Sequence, residues 1–436
     1  MTSIGPHLSV SCKGDKMKLS RRTFTQATLG AAAISVGGPL FAQDRPLRLG
    51  LLAPRSGVAA FMGEDSIRAV RWGVDRINRS GGIAGRKVEL VIQEETTPKD
   101  TVERFRHLAL QEKVDAIHGL ISTGVTLAVA PVAEDERVLL QCWDGTTQNG
   151  VQESMPKTRF VFRSTDNECE AVMSSLMAIK RFKGKFATIA GVNSDYSYGR
   201  NCWETFKTLL SRYDIEAKVV SEQWIRVGAT DLTTNVAALN AAKPDLIFNS
   251  LFLSDLPIFL RQASAAGLLA NAKIVSAVAG GQINDLRSSF VPEGALLGQN
   301  TFYFDLPGAS ELQKSFVAEY RDRYKAIPTT LADRAYFNLM AYKAGVEKAA
   351  KAAGRWPKTD EIADAIAGND IESLGGRGRY RADKIAEQMF YQGFSKNSTQ
   401  HEYPGLSDIT AAFSDQLQKP AGADYWKWIK TADFRV

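Results

Sequence analysis

The stretch that decides the fold runs from Leu47 to Glu94 and reads LRLGLLAPRSGVAAFMGEDSIRAVRWGVDRINRSGGIAGRKVELVIQE. An apolar strand over Leu47–Ala53 leads into a loop, and the helix that follows has apolar residues at helical spacing. Gly81 and Gly82 end this helix, and an alternating strand begins at Val88. The strand–helix–strand unit predicts an open parallel sheet, in which ligands bind beside the carboxyl ends of the strands.

The same alternation of strand and helix patterns continues along the chain, which is typical of α/β domains. We predict a first set of strands at Leu47–Ala53, Val88–Gln93, Asp115–Ile121, Val138–Cys142 and Arg159–Arg163. We predict a second set at Phe186–Val192, Ala217–Gln223, Leu246–Leu251, Lys273–Val278 and Ala295–Gly298. Two sets of strands agree with the length of 436 residues, which is too long for one ordinary core.

The first 42 residues have the composition of an export signal. The run Ser20–Phe24 (SRRTF) resembles a twin-arginine signal, and an ordinary secretory signal is the alternative. The small, weakly apolar stretch Ala27–Ala42 is too short and too rich in glycine for a membrane anchor. We therefore expect cleavage near Ala42 and a periplasmic protein, and Met17 is an alternative start.

The formal net charge of +6 depends largely on this leader. Residues 1–42 contain five lysines and arginines and one aspartate, so that the rest of the chain carries only +2. Basic residues and aromatic residues do not alternate anywhere in a pattern typical of nucleic-acid binding. We expect no nucleic-acid partner.

The cysteines are Cys12, Cys142, Cys169 and Cys202, and only the last three follow the leader. An odd number in an exported chain leaves at least one thiol outside an internal disulfide. Cys169 and Cys202 are a conceivable pair, which the sequence cannot establish. The spacings do not match a zinc site, so we predict no metal and no cofactor.

The ordered series P-x-S-G, G-E-D and I-N-x-S-G-G-I-x-G-R-K-V-E-L, which starts at Pro54, resembles the type I periplasmic solute-binding proteins. Members of this family serve ABC transporters for branched-chain amino acids, amides, urea and aromatic acids. The resemblance covers roughly residues 45–400. It implies two Rossmann-like lobes with parallel sheets, joined by three crossovers, and a monomer that delivers a small ligand to an ABC permease in the inner membrane.

Three polar or glycine-rich breaks in the pattern, Arg163–Asn167, Gln299–Pro307 and Gly375–Gly378, are the candidate crossovers. The resemblance then implies an N-terminal lobe of residues 43–163 plus 300–375. The C-terminal lobe is residues 164–299 plus 376–436. Crossovers of this kind absorb the closure of two lobes on a ligand. Taken alone, the glycine-rich break also fits a plain surface turn.

In the first lobe, the resemblance places ligand contacts in the loops after the strands. Phe61 and Met62 correspond to a loop that lines one wall of the cleft, although burial in their own lobe is an equal alternative. Ser122 and Thr123 follow the third strand, where hydroxyls and the amides of a helix N-terminus can hold a carboxylate. A plain N-cap is the alternative reading, and the two roles are compatible. Thr123 matches the family position best.

After the fourth strand, Gly145 and Thr146 match family positions that bind the ligand carboxylate. Trp143 replaces a small residue of the family and either stacks on a flat ligand or belongs to the core. In the second lobe, Tyr198 matches the tyrosine of a D-x-x-Y-G element that closes over the ligand. Phe252 lies where a tyrosine is common and is expected to form part of the wall.

The family usually has an acid near Ala277–Gly281 that neutralises the ammonium group of an amino acid, and this chain has none there. A buried ammonium without a partner is costly. Either Asp144, Asp195 or Asp285 takes that role, or the ligand has no ammonium group. Arg55 also departs from the family, and it either pairs with an anionic ligand or lies on the surface.

Enzyme signatures are missing from the sequence. It contains no G-x-S-x-G elbow, no Walker A loop and no G-x-G-x-x-G after a strand. His118 sits in an apolar run, which favours a core histidine over a catalytic base. We predict a binding protein without enzymatic activity. A ligand-sensing module of the same fold, acting with a membrane receptor, is the alternative, and an exported enzyme is less favoured.

Overall fold

The computed structural model describes residues 45–147, 150, 153–165, 167–398 and 401–434. The predicted twin-arginine signal, its cleavage near Ala42 and the alternative start Met17 lie outside the described residues. Within the described ranges, no helix has the length and apolar character needed to span a membrane.

The first sheet is parallel, and its described strands follow the order β2-β1-β3-β4-β5. These strands are β1 (Leu47–Ala53), β2 (Val88–Glu94), β3 (Ala116–Gly119), β4 (Leu140–Cys142) and β5 (Val161–Phe162). The helices that connect them are α1 (Ala60–Arg79), α2 (Pro98–Arg106) and α3 (Thr123–Asp135). Strands β1, β3 and β4 are almost completely buried, which explains their continuous apolar sequence.

The second sheet begins with parallel strands in the order β10-β9-β8-β6-β7. They are β6 (Thr188–Ser194), β7 (Lys218–Ile225), β8 (Leu246–Asn249), β9 (Lys273–Ser276) and β10 (Leu296–Asn300). The accompanying helices are α4 (Glu168–Phe182), α5 (Ser197–Arg212), α6 (Thr233–Ala242) and α7 (Asp255–Ala265). All ten predicted strands are therefore present in the described chain, with ends that differ by a few residues.

The C-terminal part contains helices and an antiparallel extension of the second sheet, which we did not predict. The helices are α8 (Glu311–Tyr324), α9 (Thr330–Ala353), α10 (Thr359–Ile366) and α11 (Tyr425–Trp428). The antiparallel strands are β11 (Ile371–Ser373), β12 (Gly376–Tyr380), β13 (Ala386–Lys396) and β14 (Gly405–Phe413), and β13 pairs with β10.

The predicted break at Gly375–Gly378 is the turn between β11 and β12 and the start of β12. A side chain at Gly375 would place its Cβ 1.8 Å from the carbonyl oxygen of Thr301, so this position requires glycine. The sequence did not indicate a strand here, because a run of glycines is typical of a loop. In the structure the glycine instead permits a close approach of two backbones.

Burial explains the roles of one histidine and three cysteines. His118 on β3 is completely buried and packs edge-on against Tyr342, as expected for a core histidine. Burial lowers the pKa of its imidazole to about 3, so the ring is neutral. Cys142, Cys169 and Cys202 are all buried thiols. The disulfide considered between Cys169 and Cys202 is not formed.

Candidate ligand-binding cavity

A cavity of about 80 Å³ lies where the carboxyl ends of the two parallel sheets face each other. On the side of the first sheet it is lined by Met62, Ile121, Thr123, Asp144, Gly145 and Thr147. On the side of the second sheet it is lined by Glu170, Tyr196, Tyr198, Phe252, Val278 and Gln282. We call this space the inner cavity. It lies at the sheet edge where open α/β folds bind ligands.

The inner cavity is continuous with an outer groove of about 660 Å³. Both spaces are lined by Met62, Ile121, Thr123, Tyr196 and Phe252. The outer groove adds Ser122, Gly124, Val58, Val227 and the carboxyl group of Glu95 to its lining. Its route to the surface gives a small molecule access to the inner cavity.

Most of the predicted contact residues meet at these two spaces. Met62, Thr123, Gly145, Tyr198 and Phe252 line the inner cavity, and Ser122 lines the outer groove. The rings of Tyr198 and Phe252 are perpendicular, with centroids 6.0 Å apart, and Tyr196 lies within 6.2 Å of both. These three aromatic rings form the wall on the side of the second sheet.

Three residues predicted as ligand contacts, Phe61, Trp143 and Thr146, line neither the inner cavity nor the outer groove. Trp143 is completely buried in the core around β1 and α9, because its large ring gains more from the core than from a polar cavity. Thr146 is buried with its hydroxyl 2.5 Å from Ser164 Oγ, so the next residue, Thr147, faces the cavity instead. Phe61 lies on the exposed side of α1 with 36% of its surface accessible, whereas Met62 points inward.

The start of α3 borders both spaces, through Thr123 at the inner cavity and through Ser122, Thr123 and Gly124 at the outer groove. Ser122 is the N-cap residue in an extended conformation, and its side chain makes no capping hydrogen bond. The first N–H groups of a helix have no partner within the helix, and the helix dipole makes this end attractive to anions. Gly145 packs against this turn with φ +69°, and a Cβ there would lie 2.7 Å from the carbonyl oxygen of Ile121. Only glycine fits this position without strain.

Glu95, directly after β2, holds the chain that enters α3. Its carboxylate accepts hydrogen bonds of 2.8 Å from the backbone amides of Ile121 and Ser122. Burial nevertheless raises the pKa of Glu95 to about 7, because removal from water outweighs the two hydrogen bonds. Glu95 was not predicted from the sequence, although an acid at the carboxyl end of a strand is a usable signal.

A buried ion-pair network joins the two sides of the inner cavity. Arg334 on α9 lies 2.6 Å from Asp144 on the side of the first sheet, and 3.8 Å from Glu170 on α4. Its side chain is only 1% exposed. Asp144 also accepts a hydrogen bond from Asn167 Nδ2 at 2.8 Å. Both carboxylates that line the inner cavity therefore already have protein partners.

Glu170 is the most enclosed acid of this network. Tyr198 donates its phenolic O–H to Oε2 at 2.6 Å, and Asn300 Nδ2 donates to Oε1 at 2.9 Å. Burial raises the pKa of Glu170 to about 7 against the opposing effect of Arg334. Burial also raises the pKa of Tyr198, which keeps it a neutral donor.

Three polar atoms around the inner cavity have no hydrogen-bond partner within the described part of the chain. They are Thr147 Oγ1, Asn167 Oδ1 and Gln282 Oε1, and all three are buried. Buried polar groups are rarely left in this state in native proteins. Because the three atoms share one cavity, a ligand placed there can satisfy them together.

The remaining sequence candidates do not reach either space. Arg55 is about half exposed and lies 3.4 Å from Glu64, as expected for a surface arginine. Asp195 is about half exposed and pairs with Arg200. Asp285 lines neither the inner cavity nor the outer groove. Of the three candidate partners for an ammonium group, only Asp144 is at the cavity.

Comparison with known proteins agrees with this architecture. The profile of a family described as "Periplasmic binding protein" matches residues 46–398. The chain belongs to this family of periplasmic binding proteins. Its members are substrate-binding proteins of transporters rather than enzymes, and this one is of the leucine-binding-protein-like type I.

Two relatives of this periplasmic binding protein extend over most of the chain. The Leu/Ile/Val-binding protein BraC3 of Rhizobium johnstonii is 25% identical over 369 residues, which cover 83% of this chain and 93% of BraC3. The leucine-, isoleucine-, valine-, threonine- and alanine-binding protein of Pseudomonas aeruginosa is 23% identical over 84% of this chain and 92% of its own.

Solved structures of ABC transporter solute-binding proteins share the fold. The protein of Rhodopseudomonas palustris BisB5 in complex with 3,4-dihydroxybenzoic acid superposes with a TM-score of 0.73 at 20% identity, over 84% of this chain and 97% of its own. LivJ of Streptococcus pneumoniae, in complex with isoleucine, gives 0.67 at 20% identity, over 85% and 100%. The predicted two-lobed type I fold is thereby confirmed.

Several residues of the site in this periplasmic binding protein were not predicted. Glu170, Asn300 and Arg334 lie on a helix start, a strand end and a long helix that carry no motif of their own. Gln282 follows the Ala277–Gly281 run in which the family acid is missing, and it lines the inner cavity. Its position after β9 is the sequence signal for this residue, because a polar residue there can also bind a ligand.

Proposed function

We propose that this protein is the exported, periplasmic substrate-binding component of an ABC importer. It closes its two lobes over a small organic acid without an ammonium group. The observation that carries the proposal is the inner cavity, which combines the open N-terminus of α3 with buried polar atoms that lack partners. Amino-acid-binding and aromatic-acid-binding proteins among its relatives and structural neighbours support a carboxylate ligand.

The ligand carboxylate is held at the start of α3. Thr123, Gly145 and Thr147 line the inner cavity, and Gly124 follows Thr123 in the first turn of α3 at the outer groove. A carboxylate there gains from the helix dipole and from several hydrogen bonds at once. It also gives the Thr147 hydroxyl the acceptor that the protein does not supply.

The ligand is assigned no ammonium group because both acids at the inner cavity already have partners in the protein. Asp144 is paired with Arg334 and Asn167, and Glu170 is bound by Tyr198 and Asn300. The groups left without partners on the far side are the amide oxygens of Asn167 and Gln282, which suit a neutral donor such as a hydroxyl or an amide N–H. The ligand is therefore a carboxylic acid with a neutral hydrogen-bond donor.

The whole-molecule part of the proposal concerns closure and partners. The lobes are residues 43–163 plus 300–375 and residues 164–299 plus 376–436, and they close about the three crossovers. Residues 1–42 direct export and are removed. The closed protein acts as a monomer and docks on the ABC permease of the inner membrane.

A thermal-shift screen of the purified protein tests the ligand class. The compounds are benzoate, 3,4-dihydroxybenzoate, leucine, isoleucine, valine, simple amides and urea. We expect a carboxylic acid without an ammonium group to stabilise the protein most and to be recovered unchanged after incubation. Stabilisation by leucine, isoleucine or valine, with none by the simple acids, would overturn the proposal.

A further inference from the structure

The side chains around the inner cavity carry an unbalanced set of charges. Asp144 and Glu170 are two acids, and Arg334 is the base that pairs with both in the described chain. The other titratable groups near Glu170 among the described residues are without positive charge. They are Tyr196 before α5, Tyr198 and Cys202 on α5, and Glu168 on α4 itself. With Asp144 and Glu170 ionised, these two acids and Arg334 have a net charge of −1.

An anionic ligand adds a second negative charge to this enclosed space. Like charges in a poorly hydrated cavity repel strongly, and a carboxyl group in that situation binds a proton instead. Of the two acids, Asp144 has the closer ion pair, at 2.6 Å from Arg334. Glu170, at 3.8 Å from Arg334, has the weaker ion pair of the two.

We infer that the protein binds its anionic ligand together with one proton, and that Glu170 takes up this proton. The inference rests on the proposed function, because it requires a ligand that is an anion without an ammonium group. Glu170 thereby determines the charge of the ligand that the site accepts. A zwitterion would bring its own positive charge and would leave Glu170 ionised.

The cavity is equipped for a protonated Glu170. A neutral carboxyl group is a donor as well as an acceptor, so its O–H needs an oxygen to bond to. Asn167 Oδ1 and Gln282 Oε1 line the same cavity and have no donor within the described residues, so one of them can accept from Glu170 and the other from the ligand. The hydrogen bonds from Tyr198 and Asn300 can be kept, because each carboxyl oxygen has further lone pairs.

The direction of the pH effect follows from the ligand-free protein, in which Glu170 has a pKa of about 7. Below pH 6 Glu170 is already neutral, so ligand binding takes up few protons from solution. Above pH 7 it is ionised, and each binding event must supply a proton from solution. We expect the affinity for a simple carboxylate to be about tenfold lower at pH 8 than at pH 6.

Isothermal titration calorimetry in buffers of different ionisation enthalpy measures the proton uptake directly. The probe is benzoate or 3,4-dihydroxybenzoate, whichever gives the larger thermal shift. At pH 8 the wild type should take up close to one proton. Glu170→Gln, which keeps the shape of the side chain and one of its two hydrogen-bond acceptors, should take up almost none. It should also bind the acid about tenfold more tightly than the wild type at pH 8.

Asp65→Asn is the matched control, because Asp65 on α1 is a buried acid with a pKa raised to about 6 and lines neither the inner cavity nor the outer groove. This variant should retain the proton uptake of the wild type. Uptake that persists in Glu170→Gln or disappears in Asp65→Asn overturns the inference. Binding of an acid without proton uptake also overturns it and leaves the proposed function intact. If no simple acid binds and leucine does, the proposed function fails as well.

Discussion

Thr146 and Thr147 are adjacent residues with opposite surroundings. The hydroxyl of Thr146 is bonded to Ser164, whereas the hydroxyl of Thr147 faces the inner cavity without a partner. Thr147 is therefore the residue whose oxygen a ligand can use. Thr146 and Thr147 are neighbours in the loop after β4, and their side chains point in different directions. Only the hydroxyl of Thr147 therefore faces the cavity.

Replacing Thr147 with Val removes this hydroxyl and keeps the shape of the side chain. We expect the affinity for the carboxylate ligand to fall about five- to tenfold, the effect of losing one hydrogen bond of about 1 kcal/mol. Thr146→Val is the control, and it should lower the melting temperature with little change in affinity. Calorimetric titration and thermal unfolding of both variants distinguish the two roles. The reverse pattern would place the ligand against Thr146.

Tyr198 and Glu170 form the shortest contact between the aromatic wall and the acids of the cavity. Tyr198→Phe keeps the ring and removes a hydrogen bond that favours the ionised form of Glu170. The pKa of Glu170 should therefore rise further. We expect the pH at which carboxylate affinity begins to fall to move upward, as measured by titrations from pH 6 to pH 9. An unchanged pH profile would show that this hydrogen bond is not formed in solution.

At the scale of elements, the N-terminus of α3 depends on the loop after β4. Gly145 has φ +69°, and its α-carbon lies against the Ile121–Thr123 turn. The Gly145→Ala substitution should destabilise the protein by roughly 1–3 kcal/mol, because it adds both strain and a clash. Denaturant unfolding measures this loss. Gly124→Ala, whose Cβ meets only Ser122 Oγ at 3.9 Å, should be neutral or slightly stabilising. Equal stability of both variants would contradict this packing.

For the whole molecule, buried acids link stability to pH. Burial raises the pKa of Asp65 to about 6, and those of Glu95 and Glu170 to about 7. In the folded protein these groups hold protons that they release in the unfolded chain above about pH 4.5. Their stabilising contribution is present at low pH and is lost as the pH rises through 6 to 7.

We therefore expect the melting temperature of the ligand-free protein to be about 2–4 °C higher at pH 5 than at pH 8 as a result of these groups. Glu170→Gln should reduce this difference, because it removes one of the three titrating groups. Calorimetric melting of both proteins across this pH range provides the measurement. A wild type that becomes more stable between pH 5 and pH 8, with no effect of the substitution, would contradict the assignment.

A site residue could be predicted from the sequence where its position depends only on the strand and helix patterns next to it in the chain. Thr123 is the first residue of α3, after β3, and Met62 lies in the first turn of α1, after β1. Their positions could therefore be predicted from the strand and helix patterns around them. Trp143 could not be placed, because an indole after a strand fits a core and a cavity equally well. Glu170 and Arg334 are 164 positions apart in the chain, and no local pattern indicates that their side chains meet.

The sequence by itself determined the β1–α1–β2 unit, the two sets of parallel strands and the sheet edge at which a ligand can bind. Apolar periodicity and glycine at helix ends are local signals, and local signals are enough to define elements. Only the tertiary structure decided that Arg334 bridges Asp144 and Glu170 and that Thr147 replaces Thr146 at the cavity. Burial and charge pairing depend on residues that become neighbours only when the chain is folded, so they cannot be read from spacing along it.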